Sequence, residues 1–317
     1  MSKYFLGIDL GGTKICCAAG NLEGNIKAQT ILPTLAHEGE EAVLERIIKS
    51  VETVIGDLNA SIEDVKAIGI GSPGPLDAEK GMIITTPNLP FKNFNITLPL
   101  KERFKVPVYL DNDANVAAIG EYLLGAGKGT NNMVYVTVST GIGGGAILNG
   151  KIYRGTTSNA LEVGHMTIVP DGPRCNCGNL GCAEAVASGT AIAKRAREAI
   201  ESKVETSLKN YENVTAYEVF KEASKGDMVA KDILDKSLNY LGITIANIIT
   251  SFDPEMVIIG GGVSQGGEIV FNKVREVVNT RNFKTMAESC KVVPAGLGSN
   301  AGAMGALALA MLESQES

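Results

Sequence analysis

Histidine and cysteine are scarce in this 317-residue chain, with two of the first and six of the second. A basic excess is missing as well. The 29 Lys and Arg are outnumbered by 35 Asp and Glu, the formal net charge is -6, and no Lys/Arg run occurs. A nucleic-acid partner is therefore not expected, because such binders carry a basic face. The N-terminus has no charged region followed by an apolar stretch, so no secretory signal is expected. The longest low-polarity stretch, Ala295 to Leu312, is broken by Ser299 and Asn300 and filled with Gly and Ala. That composition suits a closely packed helix better than a membrane span, so no membrane partner is expected. Cytoplasm is the expected location, where thiols stay reduced and clustered cysteines point to metal or catalysis. Pro/Ser linkers and low-complexity segments are absent, which leaves internal repetition as the guide to domain boundaries.

What is present reads as α/β. Hydrophobic residues make up 44% of the chain and charged residues 20%, a globular composition with length for two domains. "YFLGIDLGGTKICCAAG" is an apolar run, a Gly-Gly-Thr turn and a second apolar run, and a third strand candidate follows "NLEGN". Val43, Leu44, Ile47, Ile48, Val51, Val54 and Ile55 recur at helical spacing over 38 to 55, and Val65 to Gly71 is a short β-rich run. The first third thus reads βββαβ. About 130 residues later "NMVYVTVSTGIGGGAILNGKIY" repeats strand, glycine turn, strand, turn, strand, which points to a duplicated unit. "VPVYLDNDANVAAIGEYLL" reads as a strand over Val106 to Leu110 and a helix from about Asn115. The last third is mostly helical, interrupted by a strand over 255 to 262, and a final helix begins near Asn300. Expected boundaries are 1–111 plus 298–317 for one domain and 112–297 for the other.

Three of the six cysteines, Cys175, Cys177 and Cys182, crowd into "GPRCNCGNLGCAE". Three thiolates leave a tetrahedral zinc one ligand short, and His165 in "EVGHM" lies ten residues upstream. A site of three cysteines and one histidine leaves no position open for water, so the expected metal is structural Zn2+. The plainer reading is a loop of reduced thiols. Cys16, Cys17 and Cys290 lie in or beside apolar runs and read as small core residues.

"DLGGTK" (9 to 14) joins two strands, and its glycines let backbone N–H groups approach an anion, with Thr13 and Lys14 as further donors. "STGIGGG" (139 to 145) offers a second such cradle and "GGGV" (260 to 263) a third surface. Neither a Walker A loop nor a dinucleotide fingerprint fits. One Gly-Gly-Thr alone would be a hairpin turn; repeated in duplicated units, the pattern reads as nucleotide phosphate binding. "LDNDAN" places Asp111 and Asp113 at a strand end where a helix begins. An Asp there is usually a helix cap. Carboxyl ends of strands are also where α/β proteins place ligands, and a kinase needs one carboxylate to accept a hydroxyl proton.

Taken in order, "GIDLGGTK", "DNDAN", "STGIGGG", "EVGH" and "CNCGNLGCAE" resemble the motifs of the ROK family (repressors, open reading frames and kinases), from residue 4 to about 312. The resemblance implies an actin-like, ribonuclease-H-type fold in two lobes with ATP and sugar in the cleft. It implies ATP-dependent phosphorylation of a hexose, most often glucose at O6. Asp113 matches the catalytic base. Gly74, Asn88, Asn112, Glu162, His165 and Glu184 match sugar contacts, with His165 also holding zinc. Asp9 matches the acid near Mg2+, while Gly11, Gly12, Thr13, Lys14, Thr140, Gly141, Gly261 and Gly262 match nucleotide contacts. Many family glucokinases carry glycines before the Glu-x-Gly-His motif, where this chain has Ser158 and Leu161, and Ala183 and Ala185 flank Glu184 in place of Leu and Thr. These departures border the sugar pocket and open the alternatives N-acetylmannosamine, N-acetylglucosamine and fructose. Polyphosphate is the alternative donor. A sugar-responsive regulator is the non-catalytic alternative, but family repressors normally carry a helix-turn-helix before the first strand, which here starts near Tyr4. The resemblance also implies a homodimer or homotetramer.

Overall fold

Alternation along the first apolar run decides the architecture. Tyr4–Leu10 forms β1, the glycine turn returns the chain into β2 (Lys14–Asn21), and β3 (Ile26–Pro33) follows. Leu6, Ile8 and Leu10 lie on one face of β1, where they share a core with Val43, Ile47, Val51 and Val54 of α1 (Glu40–Asp57). That helix is the crossover to β4 (Val65–Ser72), which runs parallel to β1. A small sheet of β5 (Leu76–Asp77), β6 (Met82–Thr85) and β7 (Lys92–Asn95) precedes α2 (Thr97–Phe104). Next comes β8 (Val108–Asn112), parallel to β4, and α3 (Asp113–Leu124) starts directly from it. The computed structural model describes residues 3–86 and 88–316.

The second series begins with β9 (Met133–Val138), β10 (Ile142–Leu148) and β11 (Lys151–Ile152). Four helices follow: α4 (Ala183–Ala187), α5 (Gly189–Glu201), α6 (Ala216–Ser224) and α7 (Met228–Phe252). Strand β12 (Met256–Gly260) then pairs parallel with β9, and α8 (Glu268–Arg281) and α9 (Lys284–Ser289) lead to β13 (Lys291–Pro294). The chain ends in α10 (Ala301–Glu316). The two large sheets have the orders β3-β2-β1-β4-β8 and β11-β10-β9-β12-β13. Both are the same pattern, third-second-first-fourth-fifth, so the duplication read from the glycine turns is present in the topology. Their crossovers differ: one helix joins the third and fourth strands of the first sheet, and four helices join those of the second.

The chain folds as two compact units, 1–129 with 145–160 and 296–317, and 130–144 with 161–295. The expected break near residue 111 falls inside the first unit, because α3 stays there, packed on α10. Helix α10 is the low-polarity stretch, and it beds closely on the first sheet. A Cβ on Gly69 would collide with the Ala306 carbonyl, and one on Gly7 with the Leu307 backbone nitrogen. Buried Glu121 of α3 accepts from the backbone N–H groups of Ala126, Gly296 and Leu297 at 2.8, 2.9 and 2.9 Å. It thereby ties the α3 terminus to the start of the last segment. Among the described residues no helix is long and apolar enough to cross a membrane.

Candidate active site

The first unit gathers its polar residues at the carboxyl ends of parallel strands. Asp9 of β1 stands opposite Gly71 of β4, and Ser72 of β4 opposite Asn112 of β8, so three strands open on one edge. The Gly11 N–H donates to the Lys14 carbonyl at 3.0 Å, and the Thr34 hydroxyl donates to the Gly11 carbonyl at 2.6 Å, closing the Gly-Gly-Thr turn. Thr13 and Lys14 remain exposed on it. Asn88 packs so close to Gly12 that a Cβ there would lie 2.5 Å from the Asn88 Cβ. Likewise a Cβ on Gly74 would lie 3.4 Å from Asn112 Nδ2. Burial pushes the Asp9 carboxyl up from the usual range, and the Lys14 charge pulls it part of the way back.

The two acids of "LDNDAN" have different surroundings. Asp111 is fully buried, with Oδ2 accepting from Arg154 Nε at 2.7 Å and Oδ1 from the Asn112 N–H and Asn115 Nδ2 at 2.8 and 2.9 Å. Helix α3 starts at Asp113, two residues before the expected start, and Asn112 caps it: its Oδ1 accepts from the Ala114 N–H at 2.9 Å. Asp113 is exposed on the first turn, with Oδ1 at 2.8 Å from the same N–H. Asp111 serves the fold, and Asp113 presents a carboxylate at the strand end.

In the second unit β9 and β12 end side by side, Thr137 opposite Gly260, so "STGIGGG" and "GGGV" emerge together. Gly261 has φ 84°, and a Cβ there would strike the Val138 carbonyl, so only glycine fits on both counts. Thr140 and Gly262 line a cavity of about 720 Å³. Its remaining walls are largely apolar, from Ala193, Val214, Ala216, Tyr217, Phe220 and Val263, with Arg197, Lys221 and Gln265 at polar points. Its volume suits a nucleoside-sized ligand. None of the α5 and α6 residues was singled out from the sequence, because helix periodicity assigns them only a face.

The metal loop brings all four expected ligands together. The Nδ1 of His165 and the sulfurs of Cys175, Cys177 and Cys182 lie within 4.8 Å of one another. Cys175 Sγ is 3.7 Å from His165 Nδ1, and Cys177 Sγ is 3.7 Å from Cys182 Sγ. Tetrahedral Zn2+ with Zn–S near 2.3 Å requires ligand edges of roughly 3.8 Å, so the donor set and its spacing fit zinc. Burial pushes the Cys182 thiol up to about 12, with its thiol neighbours adding to the rise, and only a bound cation lets such a group ionise at neutral pH. Gly178 (φ 96°) and Gly181 (φ 65°) make the turn that closes the loop. Glu162 Oε2 lies 4.0 Å from His165 Nε2. Glu184, in the first turn of α4, accepts from the Ile142 N–H at 3.1 Å and lies 3.8 Å from Cys175. A Cβ on Gly141 would strike that carboxylate, so Gly141 makes room for Glu184. Gly141 lines a second, polar cavity of about 310 Å³ beside Glu184 and Cys175 and does not line the larger one.

Duplicated sheets of this strand order, with glycine turns and a carboxylate at their carboxyl ends, define the actin-like class. The chain belongs to the ROK family, whose model matches residues 5–313. It is 35% identical to a glucokinase of Halalkalibacterium halodurans over 96% of this chain and 93% of that protein. A xylose repressor of Caldicellulosiruptor bescii is 32% identical over 96% of this chain and 77% of that protein. Among solved structures, a ROK hexokinase from Thermus thermophilus superposes with TM-score 0.87 at 35% identity, covering 99% and 100% of the two chains. A ROK glucokinase from Streptomyces griseus in complex with glucose and AMPPNP gives TM-score 0.78 at 31% identity, covering 98% and 99%.

Proposed function

We propose that this chain is an ATP-dependent hexose kinase that transfers the γ-phosphoryl group to the 6-hydroxyl of glucose, with Asp113 as general base. The observation that carries the reading is the division at the β8–α3 corner. Asn112 caps the helix and Asp111 is committed to Arg154, which leaves Asp113 as the exposed carboxylate at the strand end. In the reaction the sugar O6 attacks the γ-phosphorus, Asp113 accepts the hydroxyl proton, and the bond to ADP breaks with its electrons going to the β-phosphate oxygen. Gly74, Asn88, Asn112, Glu162, His165 and Glu184 hold the sugar hydroxyls. The Gly11 to Lys14 turn, Thr140, Gly141, Gly261 and Gly262 serve the nucleotide, with its base in the apolar cavity beside Phe220. That cavity favours a nucleoside triphosphate over polyphosphate, which has no apolar part to bury.

Mg2+ carried by ATP would neutralise phosphate charge, and Asp9 is the acid assigned to it. Zn2+ would be held by His165, Cys175, Cys177 and Cys182 and would stay structural, fixing the loop so that His165 Nε2, Glu162 and Glu184 keep their places. Ser158 and Leu161, which stand where many family members have glycine, adopt φ 58° and 65°, so the backbone follows a glycine-like path there despite the substitution. This supports glucose over the other hexoses. A cytoplasmic homodimer or homotetramer is part of the same reading, checked by light scattering of the purified protein. The substrate test is ADP release with Mg-ATP against glucose, N-acetylmannosamine, N-acetylglucosamine, mannose and fructose. Glucose should give the highest kcat/KM. Preference for another sugar would move the substrate, and sugar-independent ADP release would sink the kinase reading.

A further inference from the structure

Arg154 lies outside every motif discussed above, two residues beyond β11, yet it reaches the corner from which Asp113 projects. Its Nε donates to Asp111 Oδ2 at 2.7 Å and its Nη2 to Glu313 Oε1 at 2.5 Å. Asp111 is wholly buried, and its other oxygen takes the Asn112 N–H and the Asn115 amide. Three donors thus hold the two oxygens of this one carboxylate. Arg154 is the cation beside it, and removing one partner of such a buried pair strands the other charge. Burial works against its charge, but Asp111 and Glu313 outweigh the loss and hold the guanidinium protonated.

We propose that Arg154 is a positioning residue for phosphoryl transfer: by holding the Asp111 carboxylate in place, it keeps the bonds that set the β8–α3 corner and so aims the Asp113 carboxylate. The inference rests on Asp113 being the base. The path is short. Asp111 grips the Asn112 N–H, the Asn112 side chain caps α3 through the Ala114 N–H, and Asp113 is the residue between. Arg154 need touch neither substrate. A misplacement of about 1 Å at a reacting group costs on the order of 100-fold in rate. Glu313 supplies an internal control, because it bonds the same guanidinium from the α10 side.

The test is steady-state kinetics on R154M, R154K, E313Q, D111N/R154M and D113N with glucose and Mg-ATP, each well below its own melting temperature. R154M should lose about 100-fold in kcat with both KM values within roughly 3-fold of wild type. R154K, which keeps the charge without the fork, should lose about 10-fold. D111N/R154M should regain at least about 10-fold over R154M, because a neutral amide at 111 accepts the same N–H groups without a cation. E313Q should melt earlier and turn over like wild type. Wild-type kcat in R154M, a rise in KM instead, no regain in the double variant, or an equal loss in E313Q would each overturn the inference. Should R154M fail to fold, R154K and the double variant decide it: wild-type kcat in R154K, or a double variant slower than R154K, would overturn it. Full turnover by D113N would instead remove the base assignment. An inactive D113N beside an unimpaired R154M would remove only the role of Arg154.

Discussion

The two large sheets share a strand order and use their carboxyl edges differently. In the first, one helix joins the third and fourth strands, and the edge carries side chains: Asp9, Asn112 and Asp113. In the second, the same interval holds the metal loop and four helices, and the edge carries bare backbone: Thr140, Gly261 and Gly262 beneath an apolar cavity. The strand frame is copied and the chemistry is grafted into the connections, which is where proteins of one fold generally diverge. The two edges therefore should fail independently when broken one at a time.

The largest expected effect lies on the first edge. Replacing Asp113 with Asn should lower kcat by at least about 1,000-fold with glucose binding retained, read by a coupled assay and calorimetry. Next comes the metal loop. Cys177→Ser should empty the site of zinc by elemental analysis and raise the glucose KM about 10- to 100-fold, the range seen when a metal shell is disturbed. An equal rise in the ATP KM would mean that the loop is not selective for the sugar. In the cavity, Phe220→Ala should raise the ATP KM about 10-fold, the worth of one lost aromatic stacking contact, and leave the glucose KM alone. Away from both edges, Gly69→Ala forces a methyl into the Ala306 carbonyl of α10 and should destabilise by about 1–3 kcal/mol in denaturant melts with KM values intact.

The smallest effect is one of pH. Glu222 is held down to about 2 by hydrogen bonds from Lys225, Tyr211 and Ser207. Asp227 is also held to about 2: burial opposes this, and the N–H groups of Ala230 and Ser207 outweigh it. A depressed carboxylate contributes stability that is complete above its unfolded value near 4 and disappears as pH falls towards 2. Melting temperature should therefore drop between about pH 4.5 and 2, and the drop should shrink in a Glu222→Gln variant.

Much of this was legible beforehand, for reasons that differ by residue. The duplication showed because glycine turns between apolar runs leave a strong local signature. The cluster of His165, Cys175, Cys177 and Cys182 showed because three cysteines and a histidine at that spacing have few other uses. Asp113 was named as base from family resemblance, but the local pattern could not separate it from Asp111, since burial and the Arg154 partner come from residues 43 positions away. The corner was also placed two residues off. The apolar run suggested Val106 to Leu110 for a strand that is Val108–Asn112, because hydrogen bonding to β4 carries it through two polar residues. The small sheet of β5 to β7 went unread, its strands being two to four residues long. The cavity wall of α5 and α6 has no motif, since an apolar wall can be built from many different side chains.

The most direct test of the account is ³¹P NMR of the zinc-loaded protein with Mg-ATP and glucose. The account predicts that the γ-phosphate signal of ATP decays as ADP and a single sugar phosphomonoester, glucose 6-phosphate, rise in equal amounts, and that D113N leaves the ATP signal standing. ATP that persists with wild-type protein, or that yields only inorganic phosphate, would contradict it.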